Sequence, residues 1–220
     1  MAEFLSIHPK TPQLRMLEQL VDALRGGAVV LYPTDTVPAI GCDLHNKRAV
    51  QRVRQIESIA PDKPLTFLCS SLANLAAYAV VTDPVYRMVR SLVPGPYTFV
   101  LPATKLVPKL VLEPKRRTTG MRVPAAPILR ETIRGLGNPV VSTSAKLLPQ
   151  GSSWAELRDR YEKLVDVVVE DGLESSGQVS TILDMTGDRP VVLRWGAGSL
   201  ERLPQEWVFA DSTPLADVLA

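Results

Sequence analysis

The spacing of apolar residues predicts an amphipathic helix near the start of the chain. Apolar side chains recur three and four positions apart, which places them on one helical face. They are Leu14, Leu17, Leu20, Val21 and Leu24. The Thr11-Pro12 pair is typical of a helix start, and the Gly26-Gly27 pair is typical of a helix end. We therefore predict a helix that Thr11 caps and that ends at these glycines.

The rest of the chain alternates between helical and strand-like patterns. Apolar periodicity and cap residues predict helices at residues 47–56, 83–93, 127–134 and 153–163. A further helix is expected to run through Ala79, with Ser70 or Ser71 as its cap. Short apolar runs bounded by turn residues predict strands at residues 28–32, 65–68, 97–101, 120–123, 139–144, 165–169, 180–185 and 191–194. Residues 105–117 are mixed and basic, and we expect mostly loop or a short helix there. In the helix at 47–56, Arg48, Arg52 and Arg54 are expected to face outward.

This order of elements predicts an α/β fold. Strands and helices alternate early, and strands cluster late, as in a single domain with a twisted, mixed parallel and antiparallel open sheet flanked by helices. The sequence contains no repeat or linker that marks a domain boundary. We expect one domain over residues 1–205 and a weakly structured C-terminal tail over residues 206–220.

Composition narrows the class of protein but does not indicate an activity. Apolar residues make up 45% of the chain, enough for a substantial core, and the net charge of +2 is too small to indicate a nucleic-acid-binding protein. Cys42 and Cys69 lie in or beside apolar stretches, so we expect buried free thiols in a reducing compartment. The N-terminus lacks a secretory signal pattern, and no apolar run is long enough for a membrane span. We therefore expect a cytoplasmic protein without membrane contact.

The stretch from Ala28 to Leu44, AVVLYPTDTVPAIGCDL, joins a strand to a tight polar loop. The apolar run stops at Pro33, and Thr34, Asp35 and Thr36 follow. A polar loop at the end of a buried strand is a common ligand-binding position in α/β proteins. The alternative is an ordinary turn in which these three side chains cap the backbone.

Other polar residues also stand at the ends of predicted strands. They are Thr34 to Thr36, Lys63, Thr118 to Arg122, Ser142 to Lys146, Ser180-Thr181 and Arg194. Small hydroxyls with a few cations suit an anionic ligand such as a carboxylate or phosphate. No nucleophile–base signature or metal motif occurs, so we assign no catalytic residue and no metal ligand, and expect action by positioning and electrostatics. Taken singly, these residues are also consistent with structural caps and a solvated basic loop.

Seven segments together carry a family resemblance. PTDTVPAIGCD, PDKPLTFL, PGPYTFVL, GMRVPAAP, VVSTSAK, QVSTILD and VLRWGAG occur in the order of the motifs of the YrdC-type threonylcarbamoyl-AMP synthase family, which they resemble. The resemblance covers about residues 14–199. EPKRRTTGMRVP and STSAKLLPQG are most similar to the YciO subgroup. The resemblance implies a YrdC-like fold for the domain.

The resemblance also implies an activity, that of an L-threonylcarbamoyladenylate synthase. Such a nucleotidyltransferase binds L-threonine, bicarbonate and ATP with Mg²⁺, releases pyrophosphate, and supplies the t6A modification of tRNA. By match of motif, the threonine and carbamate side consists of Thr34, Thr36, Lys63, Arg122, Ser142 and Ser180. The nucleotide side consists of Thr118, Ser144, Lys146, Ser152 and Arg194. Arg122 is expected to hold the amino acid's carboxylate as a fork, and the carbamate oxygen to attack the α-phosphorus in line.

Four positions depart from the family's motifs. The lysine-x-arginine that grips the triphosphate is replaced by Glu57-Ser58-Ile59. Lys146 stands for an asparagine, Val179 for a glutamate and Pro38 for a tyrosine. The loss of two cations and the gain of a carboxylate predict weaker phosphate binding and a weak or altered activity. The cations available to replace the lost charge are Lys146, Arg52, Arg54, Arg116 and Arg117.

Two alternative functions remain open at this point. One is a module that binds double-stranded RNA or tRNA, since the resemblance implies a concave RNA-binding face and the chain has a basic segment. Its RNA-binding residues would be Lys115, Arg116 and Arg117. The other is a hydrolase or a binding protein for an adenylated or carbamoylated small molecule, which uses the same pocket without the phosphate grip.

Overall fold

A mixed β-sheet forms the centre of the molecule. The structure, a computed structural model, describes residues 1–112, 115–149, 152–173, 176–187, 189–199 and 201. The described residues form strands β1 (Glu3–Ser6), β2 (Val30–Tyr32), β3 (Ala39–Asp43), β4 (Thr66–Leu68), β5 (Tyr97–Pro102), β6 (Thr118–Arg122), β7 (Val140–Ser144), β8 (Val167–Glu170), β9 (Thr181–Asp184) and β10 (Val191–Arg194). They also form helices α1 (Leu14–Arg25), α2 (Lys47–Ile56), α3 (Leu72–Tyr78), α4 (Asp83–Leu92), α5 (Pro127–Leu136) and α6 (Trp154–Tyr161), and a 3₁₀ turn at Lys109–Val111.

The strands run in the order β1-β8-β2-β3-β7-β4-β6-β5-β9-β10. The pairs β1–β8, β2–β8, β4–β6 and β5–β9 are parallel. The pairs β2–β3, β3–β7, β4–β7, β5–β6 and β9–β10 are antiparallel. The prediction of a single α/β domain with a mixed open sheet flanked by helices is confirmed.

The two faces of the sheet are covered differently. On one face, side chains of α2, α3, α4 and α6 join Phe67, Phe99 and Met121 in the larger apolar core. On the other, α1 and α5 cover only the half that carries Val30, Tyr32 and the neighbouring strands. Side chains alternate between faces along a strand, and the half of this face that α1 and α5 do not cover includes Thr66, Thr98, Arg122 and Ser142. That half carries the polar residues described below.

Several predicted elements are confirmed, and serine side chains cap two of the helices. The helix predicted at residues 47–56 has these bounds, and the basic segment contains a short 3₁₀ turn. Ser71 caps α3 by accepting the Asn74 N–H at 3.1 Å. Ser153 caps α6, where Glu156 completes a reciprocal pair of cap hydrogen bonds. The expected thiols, Cys42 and Cys69, are free and buried, and burial raises the pKa of both.

Two strands, β1 and β3, are not predicted by the pattern of residues. β1 has four residues, and it exists because Glu3 to Ser6 pair with Val167 to Glu170, far along the chain. β3 begins directly after Pro38 of the polar loop and contains Gly41. A Cβ at Gly41 would stand 2.4 Å from the Tyr32 hydroxyl and 2.7 Å from the Val141 carbonyl oxygen. Glycine is therefore needed there for strand packing, although its presence lowers the local strand signal.

Two local predictions are wrong. Thr11 does not cap α1, which begins at Leu14 after Gln13; the Thr11 hydroxyl and backbone N–H instead contact the His8 Nδ1. Arg54 does not face outward. It is buried, and its guanidinium donates to the carbonyl oxygens of Ala60 at 2.8 Å and Leu110 at 3.0 Å. The 3₁₀ turn packs over this end of α2, which helical periodicity alone does not indicate.

Within the described ranges, no helix combines the length and apolar character that a membrane crossing requires. The tail predicted at residues 206–220 lies outside the described residues.

Candidate functional site

Polar side chains from the loop after β2 and from most of the sheet meet in one pocket, which we call the polar pocket. It opens on the uncovered half of the sheet. Its lining consists of Thr34, Thr36, Val37, Ala39, Thr66, Leu68, Thr98, Arg122, Ser142, Thr143, Ser144, Lys146, Ser180, Ile182 and Arg194. Strand register brings these residues together, because Thr66 lies opposite Ser142 and Leu68 opposite Arg122. The pocket therefore depends on pairing between distant parts of the chain.

Arg122, at the end of β6, ties the sheet to the PTDT loop. Its Nη1 donates to Thr36 Oγ1 at 2.7 Å, its Nη2 to Asp35 Oδ1 at 2.6 Å, and its Nε to the Gly95 carbonyl oxygen at 3.4 Å. Both side chains of the ion pair are largely buried, with exposed fractions of 7% for Arg122 and 13% for Asp35. Removal of either partner of such a pair leaves an uncompensated buried charge, which destabilises the folded protein. A ligand carboxylate would share Arg122 with Asp35, or displace it.

The two threonines of the loop form a directed chain of hydrogen bonds. Thr34 Oγ1 donates its one proton to the Val37 carbonyl oxygen at 2.8 Å. Thr36 must then be the donor in the 2.9 Å contact between the two hydroxyls. Thr34 Oγ1 also accepts the Thr36 backbone N–H at 3.0 Å. Both hydroxyl orientations are thus determined, and the Thr36 oxygen is directed at Arg122.

A second guanidinium faces the pocket from β10. Arg194 Nη2 donates to the Ser180 carbonyl oxygen at 3.0 Å and to Ser180 Oγ at 3.2 Å. The Ser180 hydroxyl also contacts Thr98 Oγ1 at 2.8 Å. Burial lowers the pKa of Arg194, and the positive charge of Arg122 lowers it further. An anion between the two guanidiniums would relieve this repulsion.

The floor of the pocket contains a buried tyrosine–serine pair. The Tyr32 hydroxyl donates to Ser142 Oγ at 2.8 Å, and burial raises the pKa of the Tyr32 phenol. This contact uses the space that the absence of a side chain at Gly41 provides. Ser142 keeps its own proton for a partner on the pocket side.

Glu57, the residue that departs from the family's phosphate grip, fixes the loop after β7. Its Oε2 accepts the Lys146 backbone N–H at 3.0 Å, and its Oε1 accepts the Tyr161 hydroxyl. Tyr161 Oη in turn accepts the Leu147 N–H at 3.1 Å. Burial raises the pKa of Glu57, while the Tyr161 hydrogen bond and Lys146 act against that increase. Glu57 therefore holds in place the loop that carries Lys146 into the polar pocket.

The electrostatics of the lining favour an anion. Arg122, Arg194 and Lys146 line the pocket, and no carboxylate occurs among the described residues of the lining. Hydroxyl groups of Ser142 and other lining residues add donors between the cations. Across the residues that the structure describes, His, Cys, Asp and Glu side chains form no cluster of three that could hold a metal ion. The arrangement is chemically suited to a carboxylate or phosphate ester.

The structure brings eight of the predicted site residues into this pocket. From the threonine side these are Thr34, Thr36, Arg122, Ser142 and Ser180, and from the nucleotide side Ser144, Lys146 and Arg194. Ser152 lies in an adjoining cavity of about 620 Å³, the α6 cavity, which also contains Ser144, Lys146 and Trp154. Lys63 and Thr118 are not among the described residues that line the polar pocket. Thr118 lies at the start of β6, and Arg122 lies at its end.

The basic segment lies apart from the pocket lining. Lys115, Arg116 and Arg117 are exposed in the connection that leads to β6. Arg116 pairs with Asp184 at 2.9 Å, and Arg52 with Asp166 at 2.6 Å. The Arg54 guanidinium donates to backbone carbonyl oxygens. Among the cations considered as replacements for the phosphate grip, Lys146 is the one in the described lining of the polar pocket. RNA binding by Lys115, Arg116 and Arg117 stays a prediction.

Sequence reasoning did not find three polar residues of the site. Thr66 and Thr98 line the polar pocket, and the Tyr32 hydroxyl donates a hydrogen bond to Ser142 Oγ. Thr66 and Thr98 interrupt otherwise apolar strands, and that interruption is a usable signal for a polar face. The part played by Tyr32 depends on register with β7 and has no local signal.

Comparison with known proteins identifies close relatives over nearly the whole chain. YciO of Escherichia coli (strain K12), an uncharacterized protein, is 38% identical over 206 residues, which cover 91% of this chain and 98% of the relative. A threonylcarbamoyl-AMP synthase of Photobacterium profundum is 30% identical over 185 residues, covering 82% of this chain and 98% of the relative.

Solved structures show the same fold. The crystal structure of E. coli YciO matches with a TM-score of 0.85 at 38% identity and covers 93% of this chain and 100% of that chain. The structure of P. abyssi Sua5 complexed with L-threonine matches with a TM-score of 0.79 at 25% identity, covering 88% of this chain and 57% of that one. Residues 22–196 also match the profile of the Sua5/YciO/YrdC family, which carries the description "Telomere recombination". The chain therefore belongs to the Sua5/YciO/YrdC family.

Proposed function

We propose that the protein is a nucleotidyltransferase of the threonylcarbamoyl-AMP synthase type, with weak activity or an altered amino-acid substrate. The observation that carries the proposal is the polar pocket itself. Five of the six residues predicted for the threonine side line one cavity, with the guanidinium groups of Arg122 and Arg194 in its lining. Relatives that are synthases, and a related structure complexed with L-threonine, support the choice of substrate class.

Threonine would bind through its carboxylate and through the carbamate formed on its nitrogen. The carboxylate takes N–H donors of Arg122, which Thr36 and Asp35 already orient. Ser142 and Ser180 hydroxyls are placed to bond the carbamate that the threonine nitrogen forms with bicarbonate, with release of water. Binding of this kind brings the carbamate oxygen near the nucleotide and lowers the entropic part of the barrier.

The nucleotide would extend from the polar pocket into the α6 cavity. Ser144 and Lys146 line both, and Trp154 with Leu157 offers an apolar surface for a base. The carbamate oxygen attacks the α-phosphorus of ATP, the bond to the β-phosphate oxygen breaks, and pyrophosphate leaves with Mg²⁺. Lys146 and Arg194 offset the negative charge that develops on the α-phosphoryl oxygens.

Glu57 is expected to lower the affinity of the site for the triphosphate of ATP. The residue replaces a cation of the phosphate grip, and its carboxylate is bound by the Lys146 N–H. Like charge near the β- and γ-phosphates would weaken ATP binding and slow turnover. This is the reason for proposing a weak or altered activity.

A second candidate is favoured by the same residue. A pocket that accepts an α-phosphate but repels a triphosphate suits a hydrolase or binding protein for an adenylated or carbamoylated small molecule. A thermal-shift comparison separates the two candidates, because a ligand that binds only the native state raises the melting temperature. Stabilisation by AMP without stabilisation by ATP supports the second candidate, and the reverse supports the synthase.

The decisive experiment for the synthase is a product assay. The protein is incubated with ATP, Mg²⁺, L-threonine and bicarbonate, and pyrophosphate and threonylcarbamoyl-AMP are measured. We expect a threonine-dependent product at high enzyme concentration, reduced at least about tenfold in Arg122→Lys because the lysine ammonium cannot form the fork. Product that is absent while a synthase control is active contradicts the proposal.

A further inference from the structure

A second cavity lies on the other side of the PTDT loop from the polar pocket. We call it the α5 cavity, because Ile128 and Leu129 of α5 form part of its lining together with Val169 of β8. Its volume is about 390 Å³, which is within the range of small-molecule sites. No step of the proposed reaction uses it.

The two cavities share part of their lining. Thr34 lines both of them. Tyr32 lines the α5 cavity, and its hydroxyl reaches Ser142 of the polar pocket at 2.8 Å. Asp35 also lines the α5 cavity, and its Oδ1 accepts from Arg122 of the polar pocket at 2.6 Å. A molecule in the α5 cavity would therefore touch the residues that orient Arg122 and Ser142.

Asp35, in the lining of the α5 cavity, has an unused hydrogen-bonding atom. Its Oδ2 is buried and has no hydrogen-bond partner among the described residues. A buried carboxylate oxygen without a hydrogen bond destabilises the protein, so a ligand donor or cation that reaches this oxygen gains binding free energy. Asp171 adds a second carboxylate to the lining, and Lys10 supplies the one ammonium found among its described residues. The remaining lining is mostly apolar, so charge and shape together favour an organic cation with an apolar body.

We propose that the α5 cavity binds a small aliphatic ammonium compound and that Asp35 transmits its occupancy to Arg122. The ammonium neutralises Asp35, which then holds the guanidinium less strongly. Arg122 becomes more available to a carboxylate in the polar pocket, so the two ligands strengthen one another's binding, by the same factor in each direction. The identity of the carboxylate ligand as threonine rests on the proposed function, whereas binding in the α5 cavity does not.

Binding is tested first by itself, with 3-methylbutylamine as the probe. Titration by calorimetry should give a dissociation constant in the millimolar range or tighter. 3-Methylbutanoate, which has the same apolar body and no ammonium, should not bind. L-Leucine distinguishes an amino acid from a simple amine as the natural source of the ammonium. Failure of both ammonium compounds to bind the wild-type protein overturns the proposal.

Variants locate the site. Asp35→Asn keeps the shape of the side chain and should weaken the amine at least about tenfold through loss of the charge. Ala126→Leu adds volume to the cavity lining while Asp35 and Arg122 are both retained, and it should abolish binding. Asp159→Asn, a matched change at an exposed ion pair, should bind as the wild type does. Equal affinity of wild type and Asp35→Asn contradicts the assignment.

Coupling is measured in two ways that separate this inference from the proposed function. Saturating amine should tighten L-threonine binding about fivefold, and Asp35→Asn should remove the effect. The amine should also shift the Nε–Hε nuclear magnetic resonance signal of Arg122 without any second ligand. A shifted signal together with no threonine binding contradicts the proposed substrate and leaves the α5 cavity supported; bound amine with an unshifted signal contradicts the coupling.

Discussion

The carboxylate of Glu57 accepts the backbone N–H of Lys146, with 3.0 Å between Glu57 Oε2 and the Lys146 nitrogen. The family resemblance implies a phosphate-gripping cation at this position. Here the Glu57 carboxylate occupies the same position and holds the loop that carries Lys146. The change is therefore an exchange of roles, since Lys146 lines the polar pocket that Glu57 helps to shape.

The contact of Glu57 with Tyr161 and the loop should contribute to stability. In Glu57→Gln the amide can accept from one donor, but its NH₂ group faces the other. We expect a loss of about 1–3 kcal/mol in the free energy of unfolding, measured by urea denaturation. A double-mutant cycle with Tyr161→Phe should give a coupling of about 0.5–3 kcal/mol. Glu131→Gln, at an exposed ion pair, is the matched control, and an equal loss in the control would contradict the assignment.

Glu57 should also contribute to the pH dependence of stability. Its pKa is raised above the ordinary value of 4.5 in the native protein, mainly by burial. The native state then binds the proton more tightly than the unfolded state does. The resulting stability is fully present below the unfolded pKa and is lost as pH rises through the native pKa. We expect the unfolding free energy of wild type minus that of Glu57→Gln to fall as the pH rises above the ordinary pKa of 4.5 and through the raised native pKa. A difference that stays constant as the pH rises from below 4.5 argues against the raised pKa.

The ion pair of Arg122 and Asp35 should be costly to break. In Arg122→Ala the Asp35 carboxylate loses its cation in a largely buried position. We expect a loss of about 3–5 kcal/mol, seen as a lower urea midpoint with an unchanged slope. Arg134→Ala, which removes an exposed partner of Glu131, should cost less than about 1 kcal/mol. Similar losses in the two variants would show that burial does not strengthen the Arg122 pair.

The Thr36 hydroxyl should matter for ligand affinity. Thr36→Val keeps the volume of the side chain but removes the acceptor of Arg122 Nη1 and the donor to Thr34. If the loop orients Arg122 for a carboxylate, the dissociation constant for L-threonine should rise at least about tenfold. Thr82→Val is the control, because the Thr82 side chain makes no cap hydrogen bond at the start of α4. Unchanged affinity in Thr36→Val would remove the loop from the binding site.

Gly41 should tolerate no side chain. A methyl group there would meet the Tyr32 hydroxyl and the Val141 carbonyl oxygen at distances well inside van der Waals contact. Gly41→Ala should therefore destabilise the protein by about 3 kcal/mol or more, through strand displacement next to the pocket floor. Gly187→Ala, where the nearest atom is 3.8 Å away, should unfold close to the wild-type temperature in a thermal melt.

The fold was largely accessible from local patterns, and the exceptions have a common cause. Helix α2 is predicted because its apolar residues and Asn46 cap are neighbours in sequence. Strand β1 and the inward position of Arg54 are set by partners that are distant in sequence, Val167 and Leu110. Periodicity reports which face of an element is apolar, but it does not report which neighbour covers a polar face.

The site shows the same division. The hydroxyl and cation positions at strand ends are visible as motifs, and most of them line the polar pocket. The link from Tyr32 to Ser142 and the hold of Glu57 on Lys146 are not visible, because each joins residues that lie far apart in the sequence. Residue type indicates what a group can bond, whereas register decides what it does bond.

The parallel pairing of Glu3 with Val167, and of Tyr97 with Thr181, has a kinetic consequence. Sheets built from such distant contacts close large loops before any pairing stabilises them, so they fold slowly. During synthesis, the strand that carries Arg194 emerges after the other described strands, and the second guanidinium of the pocket arrives with it. A nascent or truncated chain that ends before β10 would consequently lack Arg194, and we expect it to bind an anionic ligand more weakly than the full chain does.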